Sequence, residues 1–594
     1  MIPSPSGRKL SLPHSVRALG ADGWNAQPQL AQLIKTLDGA CTAKTVAQAL
    51  AEVRGIMTLG DNHNLWAYAY LRMLYNKHMK LPDVYYATLL ADPTLLLPVA
   101  YTPTVGEACQ KFGLMPFYPR GCYVSLSERG NVKAVLEEYA RSMLPRKADG
   151  TGWDCECIVF SDGGRILGLG DLGTFGMGIP VGKLDLYTAC GGFNPAKTVP
   201  VILDAGIGDA SKNTANLDIR GNPLYTGMKK DRVKHTSAAG TEVNSAYYGV
   251  DSFVGEFMSA ARDLFGKGCL LQFEDFNTND AFPLLDEYRN KFLCYNDDIQ
   301  GTASIAVGAI LGGIKVQNPK ANVGHAIKNM NVLLHGSGSA NLGAANLLIN
   351  EAGVPASQVM CTNSRGLIWK SADGSEGTFR NDEQKAVAQV GKPTVKNPKD
   401  LVELILAYKI DAIIGAVGRD PGCFNKEVVE AMCKVADEKG RRPIIFALSN
   451  PKTQAEITAH DAYTWSNGKA LFGSGTRFEN ESVQGQVRKP GQVNNFFIFP
   501  GTSYGSMLCE ATHIPEKFFM VAAEAVANTL DQNDIAADSV VPAEGRIREV
   551  SLNVATAIVL EAQKEGIAGK TIGDDEASVK AFIKASMWSP KLAR

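Results

Sequence analysis

The stretch from Leu271 to Thr302, LQFEDFNTNDAFPLLDEYRNKFLCYNDDIQGT, constrains the fold more than any other. Two short apolar runs, Cys269 to Phe273 and Phe292 to Tyr295, each lead into a pair of acids, Glu274-Asp275 and Asp297-Asp298. Runs of that length, with helical spacing between them from Ala281 to Asn290, predict two buried strands joined by a helix. Open α/β sheets place their sites beyond the carboxyl ends of such strands. Four carboxylates converging there repel one another unless a cation holds them. Oxygen donors with no histidine nearby suit Mg²⁺ or Mn²⁺ rather than zinc. The simpler alternative is a set of caps and loop acids on a solvated rim. The charge of Asp298 also complements the dipole of a helix predicted over Thr302 to Ile314.

A chain of 594 residues exceeds what one core organises, so several domains are expected. A net charge of −1 gives no support for nucleic acid or an anionic membrane as partner. No uninterrupted apolar run approaches the roughly 20 residues of a membrane helix. The 12 cysteines are scattered, several inside apolar runs, which is a reduced pattern and not a disulfide framework. The first 20 residues hold Arg8, Lys9 and Arg17 and no acid, a weak transit-peptide composition without an amphipathic stretch. A cytoplasmic protein is therefore expected, with the mitochondrion as the alternative.

From Pro28 to Lys80 the spacing is mostly helical, ending in the dense stripe LWAYAYLRMLYNKHM. Pro103 and Gly106 then break the helix beside Tyr101, which on its own reads as a structural anchor. A strand over Glu156 to Phe160 runs into SDGGRILGLGDLGTFGMGIPVGK, where the eight glycines from Gly163 to Gly182 imply positive φ or close approach of backbone to ligand. That loop holds two cations. Arg165 can grip a carboxylate with two parallel bonds, and Lys183, opening the apolar helix KLDLYTACGG, sits where burial and a helix end lower an amine pKa. The alternative for both is a solvated loop cation. A strand over Val199 to Asp204 and a polar surface excursion, Asp209 to Asn244, precede a helix from Asp251 to Phe265.

Beyond Thr302 the pattern is that of a nucleotide fold. A strand, Asn331 to Leu334, enters the glycine turn Gly336-Ser337-Gly338-Ser339-Ala340 and then a helix, as a pyrophosphate site requires. The third fingerprint position is Asn341, with Gly343 two residues later. The next strand, Gln358 to Thr362, ends in Asn363-Ser364-Arg365, neutral then cationic. An acid there favours NAD, whereas this tip welcomes a 2′-phosphate, so NADP is expected and NAD is the alternative. Later strands, Ala412 to Val417, Pro443 to Ser449 and Ala470 to Phe472, present Val417-Gly418 and Ser449-Asn450-Pro451 at their ends. Asn450, and Asn494-Asn495 before the FFIF run, read as turn formers on their own. Helices Pro515 to Leu530 and Ile547 to Glu565 and a polar exit complete the chain.

Taken together, YTPTVGEAC, RILGLGDLGTFGMGIPVGKLDLYTACGG, QFEDF, YNDDIQGTAS, the GSG turn, PIIFALSNP, LFGSG and NNFFIFPG occur in the order and approximate spacing of malic enzyme. The chain resembles that family from about Leu10 to Trp588. The resemblance implies oxidative decarboxylation of L-malate to pyruvate and CO₂. It implies that Glu274, Asp275 and Asp298 bind the divalent metal and that Lys183, with Asp297 beside it, is the general base. It makes Tyr101 the acid that protonates enolpyruvate and Arg165 the grip on a malate carboxylate. Asn450 with Asn494 or Asn495 would line substrate and nicotinamide. The family normally forms homodimers and homotetramers. His63 stands where fumarate-activated members carry arginine, so fumarate activation is not expected.

The expected architecture is multidomain α/β. A helical N-terminal region spans 1–124 and a substrate and metal domain spans 125–296, completed by 495–567. A Rossmann-type domain over 297–494 and a tail over 568–594 make up the rest. The rival readings are a catalytically silent scaffold or sensor, a metal-independent amino-acid or shikimate-type dehydrogenase, and conversion of malate to lactate.

Overall fold

The computed structural model describes residues 43–60, 63–77, 83–115, 120–208, 219–236, 242–249 and 252–592. The N-terminal composition and the start of the predicted helical stretch lie outside them. The chain divides into two units: Met1–His235 with Val243–Tyr295 and Ala585–Arg594, and Thr236–Glu242 with Asn296–Lys584.

The first unit is built on five strands, β1 (Cys122–Ser125), β2 (Cys157–Ser161), β3 (Thr198–Asp204), β4 (Leu270–Phe273) and β5 (Cys294–Asn296), in the order β1-β3-β2-β4-β5. The pairs β1–β3, β3–β2 and β2–β4 are parallel. Every residue of β2 and β3 is buried, as expected when helices cover both faces of a parallel sheet. Phe160 of β2 packs against Phe257, Phe273 and Phe276 with ring centroids 4.5 to 5.8 Å apart. Each such pair adds roughly 0.5–1.5 kcal/mol beyond burial, which fixes the turn carrying Glu274 and Asp275.

The helix predicted to open at Lys183 starts five residues earlier, at Gly178, and runs to Gly191 with all its residues buried. Its first turn is Gly178-Ile179-Pro180, glycine and proline that read as loop. Proline is tolerated there because first-turn N–H groups need no helical acceptor. The polar exit also contains structure: Glu576–Ser586 is a helix burying Val579 and Ile583, and beyond it the Trp588 N–H donates to the Gly192 carbonyl at 2.7 Å.

The second unit holds a seven-stranded sheet: β6 (Val332–His335), β7 (Val359–Asn363), β8 (Gly366–Leu367), β9 (Ala412–Gly415), β10 (Ile444–Ala447), β11 (Leu471–Ser474) and β12 (Gly491–Gln492). Their order is β8-β7-β6-β9-β10-β11-β12, parallel except for β8 against β7. The connection after β6 goes one way and the later strands go the other. The β6–β9 boundary is thus the switch point at which a doubly wound sheet opens a crevice. The segment 495–567, expected with the substrate and metal domain, belongs to this unit. Helix Phe499–Leu508 packs on Ile547–Lys564, and Glu516–Asn528 packs on Thr302–Gln317. The stretch Asp297–Gln317 is long and apolar enough to cross a bilayer by composition, yet 89% of its apolar window is buried inside the protein.

Candidate active site

In the first unit, Tyr101, Lys183 and Glu274 meet. Tyr101 ends helix Pro93–Ala100, and its hydroxyl donates to Glu274 Oε1 at 3.2 Å. The Lys183 ammonium lies 2.8 Å from the same oxygen and 5.2 Å from the Tyr101 ring centre. Gln272 Nε2 donates to Glu274 Oε2 at 2.5 Å. Lys183 is wholly buried and Glu274 is 3% exposed, so these groups act on one another through little water. Gly182 makes room for the phenol, since a Cβ there would lie 2.8 Å from Tyr101 Cδ2. Burial pushes the Tyr101 hydroxyl well above its ordinary value; Lys183 opposes this, while Glu274 and Asp275 reinforce it.

Asp275 adopts the left-handed region at φ 54°, which few side chains other than Asn and Asp enter, and it is buried. Its carbonyl accepts from Arg165 N at 3.0 Å and its Oδ1 from Leu167 N at 3.3 Å. The Gly-rich loop is thereby tied to the acid turn. Arg165 is exposed and donates to the Thr278 hydroxyl.

Two buried ion networks support this arrangement, and sequence reasoning missed both. Beneath Lys183 on the same helix, Asp185 accepts from the Tyr85 and Tyr86 hydroxyls at 2.9 and 3.0 Å and pairs with Arg72. Beneath the Gly-rich loop, Arg232 pairs with Asp171 and donates to the Asp162 carbonyl at 2.6 Å, while Tyr247 donates to Asp162 Oδ2 at 2.6 Å. Gly163, at φ 69°, lets the loop close, because a Cβ would meet the Gly173 carbonyl at 1.9 Å.

In the second unit, the acids after β5 lie on one turn of π-helix, Asp297–Gly301, ahead of helix Thr302–Gln317. Asp297 is fully buried and accepts from Asn495 Nδ2. Gly301 is required beside it, since a Cβ would fall 1.9 Å from Asp297 Oδ1. Asp298 is partly exposed. Asn494 caps the following turn, accepting from Phe496 N at 3.1 Å. The neighbouring Asn495 is joined to a predicted site residue by its bond to Asp297.

The dinucleotide turn follows β6. Gly336 has φ 103°, and a Cβ would meet the Ala416 carbonyl at 2.7 Å. Asn341, the departure from the fingerprint, is buried and donates to the His335 and Gly336 carbonyls at 2.9 and 3.1 Å, so its amide braces the turn. Gly343 supplies the close approach instead, with a Cβ 2.3 Å from the Ile299 carbonyl. Ser337, Gly338, Ser339 and Ala340 lead into helix Ser339–Asn346. At the tip of β7, Asn363 is occupied by the protein, donating to Thr378 O and Gln384 Oε1 at 2.9 Å. Ser364 accepts from Arg380, and Arg365 is exposed. The tip therefore carries a second guanidinium, from a residue with no signal in the sequence. Val417 N and the Ser449 hydroxyl both donate to the buried Glu456, and Gly418 N donates to Ser449 Oγ at 2.9 Å. Glu456 thus pins the ends of β9 and β10, and Asn450 follows Ser449 with a partly exposed side chain.

The residues expected to hold a divalent cation are all carboxylates, Glu274 and Asp275 in the first unit and Asp298 in the second, and carboxylate chemistry fits a hard cation.

Two family models match, malic enzyme N-terminal domain over 78–289 and malic enzyme NAD binding domain over 299–563. A relative named NADP-dependent malic enzyme, from Sus scrofa, is 36% identical over 92% of this chain and 90% of its own length. A Mus musculus relative named NADP-dependent malic enzyme, mitochondrial, is 36% identical over 88% of this chain and 79% of its own. The crystal structure of Entamoeba histolytica malic enzyme shares the fold at a TM-score of 0.54 and 19% identity, covering 89% of this chain and 90% of that one. On these matches, carried through both halves of its length, the chain belongs to the malic enzyme family.

Proposed function

We propose that the protein oxidatively decarboxylates L-malate to pyruvate and CO₂, with NADP preferred over NAD and Mg²⁺ or Mn²⁺ required. The observation that carries this reading is the buried trio of Lys183, Tyr101 and Glu274, an amine and a phenol on one carboxylate oxygen. Glu274, Asp275 and Asp298 would hold the cation. When bound, the cation would supply Lewis-acid polarisation of the substrate's oxygens and the nicotinamide would supply a hydride acceptor.

As general base the Lys183 amine accepts the proton of the malate hydroxyl, with Asp297, oriented by Asn495, assisting, while the carbon that carries the hydroxyl gives up a hydride. The bond to the distal carboxylate then breaks, CO₂ departs and its electron pair remains on the enolate of pyruvate. Tyr101 delivers a proton to the carbon that lost CO₂, which gives pyruvate. Arg165 grips a malate carboxylate. Asn450, Asn494 and Asn495 line substrate and nicotinamide. The turn from Gly336 to Ala340, with Val417 and Gly418, receives the dinucleotide, and Asn363, Ser364 and Arg365 receive its ribose end. Two guanidinium groups at the β7 tip, Arg365 and Arg380, support NADP. With this reading goes a homodimer or homotetramer, in the cytoplasm or alternatively in the mitochondrion.

Near-ultraviolet absorbance of reduced nicotinamide, followed with malate, Mn²⁺ and each cofactor in turn, tests the reading. Stoichiometric pyruvate and reduced cofactor are expected, faster with NADP. Absence of signal with both cofactors removes it. Arg365→Ala is expected to raise KM for NADP more than for NAD, and the reverse order would transfer the preference to NAD.

A further inference from the structure

His335, the last residue of β6, stands directly before Gly336. Across the β6–β9 boundary, the chain leaving β9 passes Gly418 and brings Asp420 and Cys423 to the same place. The candidate ligand atoms of His335, Asp420 and Cys423 all lie within 4.8 Å of one another. This is a nitrogen, an oxygen and a sulfur donor, the mixed set that zinc takes and Mg²⁺ refuses. Three protein ligands with a fourth position open to solvent is a common zinc arrangement.

A second observation points the same way. The Thr362 hydroxyl lies 2.8 Å from His335 Nδ1, which fixes the ring and leaves Nε2 as the ligating nitrogen. A partner on the other ring nitrogen is what metal-binding histidines carry. The facing segment is also fixed. Gly422 N donates to Ala455 O at 3.1 Å, and Phe424 N donates to Glu456 O at 3.0 Å. Phe424 is buried, its ring 6.0 Å from that of His335. Asp420 is exposed, so an ion can enter from solvent. Around a tetrahedral zinc with bonds of about 2.0–2.3 Å, ligand atoms stand roughly 3.3–3.8 Å apart. Side-chain adjustments of about an ångström therefore close the set.

We propose that His335, Asp420 and Cys423 bind a borderline-soft divalent cation of the Zn²⁺ class, and that its occupation opposes dinucleotide binding at the adjoining glycine turn. The second half rests on the assignment of that turn to the cofactor; the first half does not.

The test uses the full-length protein in excess Mg²⁺, which occupies carboxylate sites and leaves a thiolate site to softer ions. Titration with Co²⁺ is expected to give a thiolate-to-cobalt charge-transfer band saturating at one ion per chain and erased by Zn²⁺. Cys423→Ser should abolish the band, and Asp420→Asn should weaken Co²⁺ binding by about tenfold or more. Cys433→Ser, altering a half-buried thiol on the neighbouring helix, should leave the band unchanged. Zn²⁺ should lower NADP affinity, read by fluorescence, in the wild type and not in Cys423→Ser. No band, a band that survives Cys423→Ser, or equal loss in Cys433→Ser overturns the site. A band with NADP affinity unmoved by Zn²⁺ overturns the antagonism. A protein that shows the band yet binds no NADP retains the metal site and loses the cofactor assignment.

Discussion

A phenol can deliver a proton only if it still holds one at the working pH. Burial holds the Tyr101 hydroxyl above 10.0, with the neighbouring carboxylates adding to the effect and Lys183 working against it. The raised value means that the folded protein keeps this proton after an unfolded chain would lose it. The associated stability is complete below the unfolded value near 10 and is lost as pH rises through the folded one. Alkaline loss of activity below pH 10 is therefore expected to come from another group. We expect Tyr101→Phe to lower kcat by about 10²–10⁴-fold and to leave the alkaline limb of the kcat/KM profile where the wild type has it. A limb that disappears with the phenol would return that titration to Tyr101. The sequence alone reads this residue as an anchor beside a proline turn. Its hydroxyl meets Glu274, 173 positions away, and no local pattern reports that contact.

At the scale of elements, the Gly-rich loop depends on a residue from a segment with no periodicity. Arg232 comes from the polar stretch read as a surface excursion, yet it is buried and joined to Asp162 and Asp171. Removing its charge leaves the buried Asp162 and the partly buried Asp171 without their cation, which costs roughly 3–5 kcal/mol for a broken buried pair. Arg232→Met should therefore shift the urea midpoint downward by that equivalent, with Arg232→Lys recovering part of the loss. A midpoint shift equivalent to less than about 0.5 kcal/mol, the range of ordinary surface changes, would show that the network carries no weight. The same contrast explains what was legible. Strands such as β3 and β10 were read to within a residue or two, because both faces of a parallel sheet are buried and the apolar run is continuous. The start of helix Gly178–Gly191 carries no helical signal because glycine and proline fill its first turn, and Glu576–Ser586 shows little periodicity because only Val579 and Ile583 are buried on it. The acid pairs, the glycine turn and the β7 tip stand out in the sequence because each is a local pattern. Arg380, Glu456 and Arg232 do not, since each reaches its place through tertiary structure and carries no motif.

For the whole molecule, the division after Tyr295 falls just before the second acid pair. Glu274 and Asp275 belong to the first unit, whereas Asp297, Asp298 and every residue assigned to the dinucleotide belong to the second. Ligand binding stabilises the native form by RT ln(1 + [L]/Kd), about 2.7 kcal/mol at a hundredfold excess over Kd. Any opening that must release the ligand then becomes roughly a hundredfold rarer. Amide hydrogen exchange reads this segment by segment. NADP alone should slow exchange at 336–340, 363–365 and 416–418, all in the second unit. Mn²⁺ alone should slow it at both acid turns, 274–275 and 297–301, because each contributes a proposed ligand. Protection by Mn²⁺ at 297–301 without any at 274–275 would strike Glu274 and Asp275 from the ligand set. Protection by NADP away from the three strand-end loops would move the proposed cofactor site off the β6–β9 crevice.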